Sequence, residues 1–274
     1  MDFILYFFVF LIGITFGSFF TLAVYRIPLG KDITHTRSYC PNCNHKLAFI
    51  DLIPVFSYIF LGGKCRYCKK KIRARYLLLE LLTGVAFVLF AMSVNVKVLD
   101  LNTSIIVYLA TGFLYLAGLF IIAGIDKERF EIRNEVLLYV VIVEALYIIY
   151  LYIVEKANIY RYVIYLFVMV VFIVANNLYF SKKAKNNYTF ECLILVLAML
   201  TFTYETCTIL TIMCALIAIA INIVMYLIKN KSKKYVKNNK GILKEYNIPI
   251  GYYLCVSNII MLFATNFIIF NQLV

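Results

Sequence analysis

Two pairs of cysteines, Cys40/Cys43 in "CPNC" and Cys65/Cys68 in "CRYC", are separated by 21 residues. Each C-x2-C can form a tight knuckle that points two thiolates at one ion. Two knuckles make a closed four-sulfur site of the kind that holds structural zinc. His45 lies close enough in sequence to replace one cysteine as a ligand. The redox reading of C-x-x-C needs a thioredoxin-like strand and helix around the motif, and no such pattern surrounds either pair. The other four cysteines, Cys192, Cys207, Cys214 and Cys255, lie in or beside apolar runs and read as packing residues.

The second kind of chemistry is acidic. Glu80, Asp126, Glu144 and Glu191 lie inside or at the ends of long apolar runs, where an ionisable group is a functional candidate. Glu80 follows "RARY", so an ion pair with Arg73, Arg75 or another base at that end of the helix would account for it. Glu144 lies mid-run in "VVIVEALYII" with no basic neighbour and must face the interior of a helix bundle or be protonated. Asp126 ends one run and Glu191 opens another. Glu128 and Glu131 are alternatives to Asp126, but they sit among Lys127, Arg129 and Arg133. There is no H-E-x-x-H, no G-x-S-x-G and no phosphate-binding glycine loop.

These residues must be positioned by membrane helices. The 274-residue chain is 64% hydrophobic with a mean hydropathy of +0.89, far above the composition of soluble domains. A helix needs roughly 20 apolar residues to cross the hydrocarbon. Eight runs qualify, near 3–25, 76–95, 104–125, 135–154, 160–180, 189–203, 206–228 and 249–270, the sixth being short. The expected fold is thus all-α: a polytopic bundle of about eight transmembrane helices. The first run is too long for a cleaved signal peptide, has no basic region before it and is followed by no A-x-A site.

Lys and Arg set the orientation. Segment 26–75 holds eleven of them, and segments 126–133, 181–188 and 229–248 hold three, three and seven of the 27. They alternate along the chain as an even number of spans requires. Both termini are therefore expected outside, with the basic loops in the cytoplasm of an inner or plasma membrane. The net charge of +13 reads as topology beside anionic lipid rather than as a nucleic-acid surface. On this plan Asp126 and Glu191 lie at one depth on the cytoplasmic side. Two carboxylates at such a boundary can share a proton, leaving one as base and one as acid. That is the equipment of an aspartic-type hydrolase.

Segment 26–75 is the one loop large enough to fold, as a small cytoplasmic zinc-binding domain that needs the metal as a staple. A reducing cytoplasm keeps its thiols available. Between the knuckles, "AFIDLIPVFSYIF" is apolar but too short to span. Pro54 predicts a bend, and the segment is expected to lie against the membrane surface or the bundle. The domain plan is then residues 1–25 as the first span, 26–75 as the zinc domain and 76–274 as a membrane domain with a peptidase core at about 100–228.

With these residues in view, the chain resembles the type IV prepilin peptidases, the bifunctional leader peptidase/N-methyltransferases of pilus and type II secretion systems. "GSFFTLAVYRIP" at 17–28 is similar to that family's opening signature. Residues 40–84 follow its zinc-bearing domain almost position by position. "AGIDKERFEI" at 123–132 is similar to its first catalytic aspartate motif, and "IPIGYYLCVSNIIML" at 248–262 to its closing helix. The resemblance implies Asp126 and Glu191 as the catalytic pair and Cys40, Cys43, Cys65 and Cys68 as zinc ligands. It also implies removal of the basic leader of prepilins or pseudopilins at the inner membrane face. Methylation of the new amino terminus from S-adenosylmethionine and contact with the assembly machinery follow in the family. The second motif departs from the pattern. The family's Gly-x-Gly-Asp is replaced by "NNYTFE", and no glycine occurs between Gly124 and Gly241. Ile132 is followed by Arg133 where the family usually has proline. A glutamate in place of aspartate shifts the carboxylate by about 1 Å, a scale that can cost on the order of 10²-fold in rate. The alternative is an impaired homologue that binds prepilins for assembly or retains only methyl transfer.

Overall fold

Apolar segments without internal proline can satisfy every backbone group inside a membrane only as helices, and helices are what they form. The structure is a computed structural model that describes residues 2–97, 102–154, 160–175, 189–203, 207–232 and 249–272. Among the described residues the elements are helical, with two isolated antiparallel bridges and no strand. The helices are α1 (Asp2–Arg26), α2 (Phe56–Phe60), α3 (Arg75–Ser93), α4 (Thr103–Arg129), α5 (Asn134–Ile153), α6 (Tyr160–Ala175), α7 (Thr189–Phe202), α8 (Thr208–Ser232) and α9 (Ile250–Gln272). Six of them, α1, α3, α4, α5, α8 and α9, are long and apolar enough to cross a membrane. This is a multi-pass helical membrane protein. The runs expected at 160–180 and 189–203 give the shorter apolar helices α6 and α7, of 16 and 14 residues. The basic segment 181–188 and most of 229–248 lie outside the described residues.

The chain divides into two compact units, Met1–Phe113 with Ile269–Val274, and Leu114–Ile268. In the first, α1 lies directly on α3. A Cβ on Gly13 would come within 2.7 Å of the Gly84 Cα, and one on Gly17 within 2.8 Å of the Glu80 Cα. Two glycines one turn apart let the two backbones touch. This contact brings Glu80 to the loop that follows α1. Its buried carboxylate accepts the Val55 amide N–H at 2.7 Å and a hydrogen bond from Ser18. The partners it takes are thus not the arginines suggested by its sequence neighbours. Val55 has φ +63°, a costly conformation for a β-branched residue, and the bond from Glu80 holds it there. That is the bend expected at Pro54. It separates a 3₁₀ turn, Phe49–Leu52, from α2. Phe49, Ile50, Ile59 and Phe60 of this segment are exposed.

Arg26 at the end of α1 is buried and gathers the next loop with its guanidinium. It donates to the carbonyls of Asp32 at 2.8 Å and Thr36 at 2.9 Å, and to the Thr36 hydroxyl at 2.6 Å. In the second unit a polar chain joins three helices. The Tyr115 hydroxyl of α4 donates to Asn258 of α9 at 2.9 Å, and the Asn258 amide donates to the Leu195 carbonyl of α7 at 3.4 Å. Phe202 of α7 stacks on Tyr115 at 4.2 Å and on Tyr147 of α5 at 5.4 Å between centroids.

Candidate functional sites

The two cysteine pairs fold into a matched pair of knuckles. In each, the first cysteine's amide donates to the carbonyl five residues on: Cys40 to His45 at 3.0 Å and Cys65 to Lys70 at 2.9 Å. In each, the residue four after that cysteine turns the chain back in a left-handed conformation, Asn44 at φ +56° and Lys69 at φ +59°. The bridges Tyr39–Lys46 and Lys64–Lys71 close the two hairpins.

The four sulfurs of Cys40, Cys43, Cys65 and Cys68 lie within 4.8 Å of one another, so they are positioned to hold a metal ion. Cys40 and Cys68 Sγ are 3.9 Å apart, close to the roughly 3.8 Å edge of a tetrahedron with metal–sulfur bonds of about 2.3 Å. The donor set is all sulfur, which fits zinc. His45 does not join the cluster; its ring lies tilted against Tyr67 at 3.6 Å between centroids. Burial opposes ionisation of Cys40. The backbone N–H groups of Cys43 and Asn42 and the thiols of Cys43 and Cys65 outweigh it and bring the group down to about 7. The knuckles are tied to the apolar segment through Asp51. Its carboxylate accepts from Arg66, from the Tyr67 hydroxyl at 3.3 Å and from the Ala48 amide at 3.2 Å. Burial raises the Asp51 carboxyl, but the Arg66 guanidinium outweighs that and holds it below the usual range.

Three of the acidic candidates, Asp126, Glu144 and Glu191, are buried in the second unit. Asp126, in the last turn of α4, is 2% exposed, and Glu191, in the first turn of α7, is 8% exposed. The Cys192 thiol lies within electrostatic reach of both carboxylates, and the Cys255 thiol of α9 within reach of Asp126 and Cys192. The ends of α4, α7 and α9 therefore converge. Asp126 also takes partners that its sequence neighbourhood does not foretell: the Tyr252 amide donates to its Oδ2 at 2.8 Å, and the Gly251 amide donates to the same carboxylate. Glu144 is 0% exposed on α5, as its place in an apolar run demands, within reach of Thr201 and Tyr115.

Residues 11–94 match the bacterial Peptidase A24 N-terminal domain. The resemblance to the prepilin peptidase family holds. The chain is 36% identical over 129 residues to a prepilin leader peptidase/N-methyltransferase of Klebsiella pneumoniae, covering 44% of this chain and 52% of that protein. To the Myxococcus xanthus protein of the same name it is 44% identical over 80 residues, 29% of this chain and 24% of the relative. For the Bacillus subtilis protein the values are 33% over 130 residues, 47% and 49%. The chain thus spans about half or less of the length of these relatives. No solved structure matches.

The matched region holds both knuckles, α3 and the later part of α1. It also encloses a cavity of about 450 Å³, within the range of small-molecule sites. Its wall includes Tyr25, Tyr39, Tyr58 and Tyr76, together with Arg73 and Arg75. The prepilin peptidase resemblance at Asp126 lies outside that region, on the motif "AGIDKERFEI".

Proposed function

We propose that this protein is a membrane aspartic endopeptidase. It removes the leader of type IV prepilin-like proteins at the cytoplasmic membrane face, with Asp126 and Glu191 as its acid–base pair. The observation that carries this reading is that buried Asp126, at the end of α4, lies within electrostatic reach of Cys192, the neighbour of buried Glu191 at the start of α7. In the reaction one carboxylate accepts a proton from water as its oxygen attacks the scissile carbonyl. The other, protonated, donates to the carbonyl oxygen and takes that proton back as the tetrahedral intermediate collapses, while the first passes the proton it took from water to the leaving amine. The leader ends up as a free acid and the mature chain as a free amine. Zinc in the Cys40, Cys43, Cys65 and Cys68 cluster would cross-link two hairpins that have little core of their own. The cavity beneath those hairpins is the place we assign to S-adenosylmethionine, whose methyl group the new amine would receive. Prepilins or pseudopilins, the pilus or secretion assembly machinery and the bilayer are the partners of this reading. The basic loops face the cytoplasm and both termini face outward.

One observation favours a second reading. The Asp126 carboxylate already accepts two amides of α9, so it could serve solely as a tether in a prepilin-binding assembly protein. Co-expression with a prepilin separates the two, with leader removal read by mass spectrometry. Asp126→Asn and Glu191→Gln are each expected to abolish cleavage. Normal cleavage by Glu191→Gln removes Glu191 from the mechanism. A wild type that co-purifies with uncleaved prepilin, unchanged by Asp126→Asn, establishes the assembly reading.

A further inference from the structure

The carboxylate of Asp126 accepts from two amides outside α4, those of Gly251 and Tyr252. Helix α4 ends three residues after Asp126, at Arg129: the Phe130 amide donates to the Asp126 carbonyl at 2.9 Å, with Phe130 at φ +57°. This turn throws the chain back so that Ile132 is buried against the first turn of α9. There it meets Gly251. A Cβ on Gly251 would stand 2.7 Å from Ile132 Cδ1, 3.1 Å from Ile132 Cγ1 and 3.1 Å from Asp126 Oδ2. The glycine is in ordinary helical backbone, so conformational freedom is not what selects it. The space is taken from the other side, by a branched side chain and by the carboxylate itself. The next residue, Tyr252, places its N–H 2.8 Å from Asp126 Oδ2, and its ring carries the Lys127 ammonium at 4.7 Å from the centroid. The start of α9 also presents the positive end of its dipole to the carboxylate.

We infer that Gly251 is a positioning residue for Asp126. Its missing side chain lets Ile132 and the first turn of α9 close on the carboxylate and hold one oxygen on the Tyr252 amide. The Gly251 amide donates to the same carboxylate. The inference rests on the reading of Asp126 as catalytic. A methyl group at Gly251 must displace Ile132, Asp126 or the first turn of α9. Rotation of the carboxylate by the few tenths of an ångström to 1 Å involved is enough to lower the rate of the chemical step. Substrate binding by the rest of the membrane surface is untouched.

The test is leader-removal kinetics with the full chain in detergent or vesicles. Gly251→Ala is expected to lower kcat about tenfold or more while KM stays within about twofold. Adding Ile132→Ala to Gly251→Ala removes the branched side chain from the contact and is expected to recover most of the lost kcat. Ile132→Phe, which overfills the same contact from the opposite side, should reproduce the loss in kcat. It serves also if Gly251→Ala fails to accumulate in membranes. Wild-type kcat in Gly251→Ala overturns the inference. So does a loss that appears in KM alone, or one that Ile132→Ala does not relieve. Asp126→Asn is run beside them. If it cleaves normally, the catalytic reading of Asp126 fails. If it is inactive while Gly251→Ala is unimpaired, the positioning role alone fails.

Discussion

At the scale of the residue, the cysteines were the most readable feature. A knuckle is a local object: two thiols two residues apart and a left-handed turn residue behind them suffice, so spacing alone announces it. What holds the knuckle was not readable, because it is not local. Asp51 lies in the apolar segment, and its partner Arg66 lies between the cysteines of the second pair. Purified protein is expected to carry about one zinc per chain, lost on replacing Cys40 and Cys43 together by serine. Folded wild type that is free of metal would count against the site. Asp51→Asn removes the ion pair but keeps the shape, and should speed zinc release to excess chelator by up to about fivefold, since Arg66 is open to solvent. The pH dependence has a definite sign. A carboxyl held below its usual value contributes stability above the unfolded pKa of about 4, and the contribution is lost as pH falls through the lower, folded value. The ratio of mutant to wild-type release rates should therefore be flat between about pH 6 and pH 8. A ratio that varies in that window would show that Asp51 does not act as a permanently ionised partner of Arg66.

At the scale of the element, closeness between helices is what converts sequence into a site. Gly13 and Gly17 are legible as a small-residue face on an apolar helix. Their partner Gly84, in the following span, is not, since nothing local marks which helix it will meet. Their contact places Glu80 under Val55 and so fixes the bend between the two knuckles. The expected ion pair of Glu80 with a neighbouring arginine was a reading of sequence adjacency, and the helix contact supplied a backbone amide instead. Gly17→Val puts a Cβ 2.8 Å from the Glu80 Cα, where backbone must move. Overpacking of this kind costs about 1–3 kcal/mol. The thermal unfolding midpoint in detergent should fall by several degrees, and proteolysis near Val55 should accelerate. A midpoint equal to wild type would mean that α1 and α3 do not lie in contact through these glycines. Asp126 follows the same logic. The sequence shows a carboxylate at a helix end, and the amides that seize it come from more than a hundred residues away.

At the scale of the whole molecule, hydropathy located the helices, but their lengths decide how many cross. α7 has 14 described residues, about 21 Å at 1.5 Å per residue, against a hydrocarbon thickness of about 30 Å. α6, with 16, is also short. If both cross, the lysines Lys182, Lys183 and Lys185 between them lie on the same side as the knuckle domain and Glu191 opens α7 from that side. If neither crosses, every other loop keeps its side and residues 181–188 alone change sides, because removing two adjacent spans leaves the parity of the rest intact. A single position therefore decides the topology and, with it, whether Asp126 and Glu191 can be approached from one face. Three lysines in a short loop favour retention in the cytoplasm. Reporter fusions or impermeant labelling at Asn186 should give the same side as insertions at residue 37 and at Glu131, and the opposite side from insertions at residue 97. Labelling at Asn186 from the outer face would remove α6 and α7 as spans. It would also withdraw the shared-depth argument that pairs Glu191 with Asp126, leaving the cysteine cluster and the α1–α3 contact unaffected.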